Sequence, residues 1–231
     1  MRLGRKLIGS LVVGGALFAA AVAPAQAGDF DEQILAELNF ARAHPQEYAT
    51  RMLNQPVSEW EQSLSSSGAQ AEAGAYAEAV EFLMRQSPLP PLRPDDQLAA
   101  AALEHVTEQG LSGETGHSGP SGERFDDRLR RHGVRAEVAA ENIAYGPPTA
   151  SDVVRELIID SGVPSRGHRR NIFHPALAAA GVNCGPHKEY TTMCVIDFAG
   201  GLAESDTWRQ AELAPTTRMS GGRFFRMLTA R

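Results

Sequence analysis

Residues 160–185 read "DSGVPSRGHRRNIFHPALAAAGVNCG" and place an aspartate, two histidines, three arginines and a cysteine within 26 positions. The stretch changes character midway. Its first part is polar and interrupted by Gly162, Pro164 and Gly167, the composition of a turn. From Ala178 it becomes small and apolar. Together with "YTTMCVIDFAGG" (190–201), across a "PHKE" turn, it reads as a β-hairpin. Alternation by two sets Val182 and Cys184 on one face, next to Cys194, Ile196 and Phe198 of the partner strand. Cys184 and Cys194 then stand opposite each other at a spacing that admits a disulfide. Two buried free thiols, acting as small hydrophobes, are the alternative.

Upstream of this stretch the patterning is mostly helical. "DEQILAELNFARAHPQEYATRML" repeats apolar residues at helical spacing, with a break at His44-Pro45. Residues 54–87 read as a surface insertion, aperiodic at first and helical in "AYAEAVEFLMRQ". "SPLPPLRPDD" is a proline-stiffened connector, and Asp95 or Asp96 caps the alanine-rich helix that follows, to Gly110. "LSGETGHSGPSGE" is a glycine-rich loop, "RFDDRLRRHG" a short helix, and "VRAEVAAENIAYG" a loop passing into a strand. Thr149 and Asp152 form a capping box for "ASDVVRELIID". Helices around a small antiparallel sheet make an α+β domain.

The ends of the chain differ from its middle. Arg2, Arg5 and Lys6 precede an apolar run that closes on "APAQA", a secretory signal with cleavage expected after Ala27. No cysteine follows that run, which argues against a lipidated terminus, and no stable membrane span is expected once the signal is gone. Without residues 1–27 the 22 basic residues fall to 19 while all 28 acidic residues remain, a formal charge of −9. So acidic a chain makes a poor nucleic-acid binder. The mature chain is expected to form one domain over residues 28–205, in a secreted or periplasmic location where cysteines oxidise. Residues 206–231 read as a mobile polar and basic tail, with surface or membrane contact as the alternative.

Five of the seven histidines have structural readings. His105 falls on the apolar face of its helix, His44 and His174 precede prolines, His132 sits in a last helical turn, and His187 is expected to be solvated in the hairpin turn. His117 in "TGHSG" and His168 in "RGHRR" differ, because a neighbouring glycine lets the backbone bend and project the imidazole into a cleft.

"LNFARAHPQEY", "LPPLRPDDQLAAAALEH", "GHSGPSGERFDDRLRRHG", "AAENIAYG" and "RGHRRNIFHPALAAAGVNCG" occur in that order. Over roughly residues 30–201 the chain resembles the bacterial branch of the CAP superfamily, which includes cysteine-rich secretory and plant pathogenesis-related proteins. The resemblance implies an α-β-α sandwich with a cleft holding two histidines and two acids. These map to His117, Glu141, Asp160 and His168, with Leu157 standing where many relatives have a tryptophan and Asp160 where they have a glutamate. His117 and Glu141 are expected on separate loops, and Asp160 at a helix end.

Two imidazoles and two carboxylates suit zinc or another divalent cation, with water as a further ligand. Without metal the same groups form charge-assisted hydrogen bonds, for which Arg166, Arg169 and Arg170 compete. The expected function is a secreted module binding a cation or small ligand. The alternatives are a metal-assisted hydrolase with Glu141 as base and a lipid or sterol carrier. The partner, whether small ligand, lipid or protein, is not readable from the residues.

Overall fold

The computed structural model describes residues 30–55, 74–119 and 122–202, together with the backbone of 226–229. The signal segment, the centre of the 54–87 insertion and most of the tail lie outside the described residues. In chain order the elements are α1 (Phe30–Ala43), α2 (Pro45–Asn54), α3 (Ala75–Arg85), β1 (Arg93–Pro94), α4 (Asp96–Ser112) and α5 (Phe125–Arg131). They continue as β2 (Val138–Tyr145), α6 (Ala150–Ile159), α7 (Gly167–Ile172), β3 (Ala179–His187), β4 (Thr191–Gly200) and β5 (Arg226–Thr229).

The local signals explain most of these boundaries. His44 separates α1 from α2, and Pro45 occupies the first turn of α2, where a missing N–H costs nothing. The Asp95 carboxylate accepts from the backbone N–H groups of Gln97 and Leu98 and opens α4. Thr149 Oγ1 accepts from Asp152 N at 3.1 Å and opens α6. The last turn of α4 runs past Gly110 to Ser112 and stops at Gly113, whose φ of 80° is the left-handed cap that glycine supplies without strain.

The sheet has the order β1-β3-β4-β2-β5. Its three long strands are antiparallel, as the hairpin reading requires. The two edges are short parallel additions, β1 on β3 and β5 on β2. The tail was expected to be mobile, yet Arg226–Thr229 pair with Val138–Glu141.

Strand alternation builds two packed layers. Ala140, Ala144, Ala180, Val182, Cys194, Ile196 and Phe198 face α1, α2, α3 and α6 in the larger core. On the other side, Ala139, Ala179 and Ala199 pack with Leu98 and Ala101 of α4 and with Phe125 and Leu129 of α5. The chain is thus an α-β-α sandwich. Alanines at the α4 interface let helix and sheet approach closely. At the nearest point a Cβ on Gly181 would run into the backbone of Leu98 and Ala99.

Two features depart from expectation. The helical part of the insertion is no appendage: Ala79 and Leu83 of α3 are fully buried in the larger core. Arg42 of α1 is also buried, and it binds the carbonyls of Pro90, Ile172 and Leu177, tying the connector and the segment after α7 to α1. The hairpin is as predicted: Cys184 and Cys194 are register partners with Cα atoms 4.1 Å apart, and a disulfide joins them.

Candidate functional site

The four predicted residues form two half-sites, His117 with Glu141 and Asp160 with His168. The first lies on the α4 side. Glu141 does not sit in a loop but in the middle of β2, fully buried, with His117 brought to it by the loop after α4. His117 Nδ1 donates to Glu141 Oε1 at 2.8 Å, while Arg128 of α5 binds Glu141 Oε2. Arg128 is itself wholly buried. Burial pushes the Glu141 carboxyl up, but the His117 hydrogen bond and the Arg128 charge outweigh it and hold the group ionised, below the ordinary carboxylate range.

A frame of polar side chains fixes the His117 turn. His105 has the core position predicted for it and also works in this frame. Arginine can only donate, so His105 Nδ1 accepts from Arg128 at 3.1 Å, and Nε2–H donates to the Gly116 carbonyl at 2.8 Å. Burial lowers the pKa of His105, in keeping with a neutral ring. Gln109 donates to the carbonyls of Gly116 and Ser118, and the Tyr145 hydroxyl accepts from Gly116 N and donates to Gln109. His187, expected in solvent, is buried: its Nε2 donates to the Glu114 carbonyl and its ring packs edge-on to Tyr145.

The second half-site spans α6 and α7. Asp160 ends α6 in the left-handed region at φ 56°, and Arg166 repeats that conformation at φ 50° before α7. Aspartate tolerates this backbone better than arginine does. Asp160 Oδ1 accepts from His168 Nδ1 at 2.7 Å, and Oδ2 accepts from the backbone N–H groups of His168 and Arg169. The side chains of Arg166 and Arg169 have other partners. Arg166 and Arg169 bind carbonyls around the turn and meet Glu78 of α3.

Asparagines join the halves. Asn142 lies next to Glu141 but faces the opposite layer, and donates to the His168 carbonyl at 3.1 Å. Asn171 donates to Asn142 Oδ1 and to the Glu141 carbonyl. Arg128, Asn142 and Asn171 were missed in the sequence. Arg128 follows Phe125 by three and precedes Leu129 by one on a short helix, which places a guanidinium on the buried face.

The chemistry of the donor set can be tested against a cation. Among the described residues no three histidine, cysteine, aspartate or glutamate side chains come together as a metal-holding group. Both Glu141 oxygens and both Asp160 oxygens already accept hydrogen bonds and both carboxylates are buried, which suits them to orienting the rings. Each imidazole holds its Nδ1 proton on a carboxylate, the arrangement that fixes the tautomer and orientation of a histidine ring.

The family model for the cysteine-rich secretory protein family matches residues 35–198. The chain belongs to the CAP family. This CAP domain is 27% identical over 126 residues to YkwD of Bacillus subtilis (strain 168), described as an uncharacterized protein; the match covers 53% of this chain and 47% of YkwD. The chain therefore spans about half the length of that curated relative. Among solved structures it is similar to an extracellular protein containing an SCP domain from Bacillus anthracis, with TM-score 0.43, 22% identity, and coverage of 64% of this chain and 45% of the other. It is also similar to an outer surface protein of Borrelia burgdorferi, with TM-score 0.41, 19% identity, and coverage of 64% and 96%. No helix among the described residues is long and apolar enough to cross a membrane.

Proposed function

We propose that this CAP domain is a secreted binding module that takes a divalent cation through His117 and His168, with Glu141 and Asp160 orienting the rings rather than ligating. The supporting observation is the repeated pairing: each histidine is 18–23% exposed at its side chain and is held by Nδ1 on a carboxylate that is at most 1% exposed. Two partly accessible imidazoles, each anchored on a buried anion, leave ring surface within reach of a ligand. A bound cation would supply positive charge to fix an anionic or carbonyl group of a further ligand. The signal pattern of residues 1–27 and the Cys184–Cys194 disulfide support export.

The hydrolase alternative asks Glu141 to act as a general base. Glu141 is fully buried and bound by Arg128 and His117, and such a group is poorly placed to take a proton from water. Nothing in the described residues favours lipid or sterol carriage. Calorimetric titration of zinc into metal-stripped mature protein tests the proposal. Saturable binding that is lost in both His117→Ala and His168→Ala is expected. Absence of binding in the wild type, or full retention in either variant, overturns it.

A further inference from the structure

Asp197 belongs to none of the groups described so far, yet it faces the centre of the first half-site. It stands on β4 directly across from Glu141 of β2. Both residues point to the α4 side of the sheet, and both are 0% exposed. Neither carboxyl oxygen of Asp197 meets a donor N–H or O–H. Its cross-strand neighbour on that buried face is the Glu141 carboxyl.

Two carboxyl groups side by side on adjacent strands and fully buried cannot both be ionised at low cost, because each raises the energy of the other's charge and solvent screens neither well. One of them therefore carries a proton. Glu141 is the charged member, since Arg128 and His117 both hydrogen-bond it and Asp197 has no cation of its own. The direction of each group's acidity agrees. Burial and the Glu141 charge raise Asp197 well above the ordinary carboxylate range, while Glu141 is held below it.

We propose that Asp197 is a positioning residue of this site: its carboxyl O–H donates to the Glu141 carboxylate, and that bond fixes the oxygen that holds His117. Three directional contacts then set the carboxylate plane, from Arg128, His117 and Asp197. With only the first two, Glu141 could rotate about its terminal torsion, which is broad for a carboxylate, and His117 would follow it. The proton also lowers the net charge of the cluster, so a single buried guanidinium suffices to balance it.

The inference deepens the proposed cation-binding reading, and its test separates the two. In metal-free mature protein, the ring nitrogen resonances of 15N-histidine report which nitrogen of His117 carries the proton, whether or not the protein binds metal. Asp197→Asn keeps a donor toward Glu141 in a side chain of the same shape, and the His117 signals are expected to stay as in the wild type. Asp197→Val removes the donor at similar volume. It is expected to mix the two His117 tautomers and leave the His168 signals unchanged.

In wild type that binds zinc, the valine variant should bind about tenfold more weakly, as for loss of an outer-shell partner, and the asparagine variant should match the wild type. If the wild type binds no zinc, the cation-binding reading fails while the resonances still decide the role of Asp197. Unaltered His117 signals in Asp197→Val overturn the positioning role. So does an Asp197→Asn protein that folds but shows mixed His117 tautomers, and this second variant decides the matter if the valine variant does not fold.

Discussion

Glu156 is the side chain whose replacement should say most about the electrostatics of α6. It sits one turn after Asp152 and one turn before Asp160, so three carboxyl groups follow each other along one side of the helix. Its Oε2 is buried and has no hydrogen-bond partner. Burial, and then the charges of Asp160 and Asp152, push its pKa from 4.5 to about 8. Below the lower value the group is protonated in both folded and unfolded chains and makes no difference between them. As pH rises toward the upper value, the unfolded chain releases the proton while the folded chain keeps it, so stability falls; above about 8 the folded carboxyl ionises as well and the loss levels off. At about 1.4 kcal/mol per tenfold change in acidity the full difference is at most about 5 kcal/mol. Relaxation and water entry around a buried charge reduce it, to on the order of 2–4 kcal/mol.

Glu156→Gln removes the titration and keeps the shape. In urea denaturation the variant should match the wild type near about pH 3.5 and exceed it by that margin near about pH 8.5, since titrating groups remote from Glu156 cancel in the difference. Stability curves that stay parallel from pH 5 to 9 would refute the reasoning.

Arg128→Met should destabilise the domain by about 3–5 kcal/mol, because Glu141 loses its buried cation, and a chemical denaturation midpoint within error of the wild type would contradict this. Replacing both Cys184 and Cys194 by alanine should cost about 2–3 kcal/mol for so short a closed loop, and the intact mass of the wild type should fall about 2 Da below the reduced value, as one S–S bond requires. A mass equal to that of the reduced chain would be incompatible with the bridge. Gly181→Val is expected to prevent soluble folding, since its side chain has to displace the α4 backbone; a folded variant of unchanged melting temperature would disprove that close contact.

The helices were legible in the sequence because their ends carry local chemistry. Pro45, Asp95 and the Thr149–Asp152 pair act on backbone groups within a few residues of themselves, and each boundary fell near them. The hairpin was legible because its apolar residues alternate. β2 was harder to read, since Glu141 and Asn142 occupy buried positions on both faces and hide any alternation. Both histidine–acid pairs of the candidate site were reached through the family resemblance, which places residues but does not tell a ligand from an orienting group. That distinction depends on Arg128 and on the N–H groups of α7, which reach the carboxylates only through tertiary packing. Asp197 carries a sequence signal of its own: by alternation it shares a strand face with Met193, Val195 and Ala199, an acid among apolar residues. The burial of His187 depends on Glu114 and Tyr145, remote in sequence, and no local pattern announces it.

Glu141 and Asn142 are consecutive residues on one strand, and each anchors a different histidine-bearing segment. The relative placement of the two rings is therefore fixed through a single peptide unit inside a hydrogen-bonded sheet, and not by two independently mobile loops. Neither ring can travel far toward the other unless β2 bends or its anchor is released. The conformational entropy of assembling the pair is thus lost when the chain folds and not when a ligand arrives.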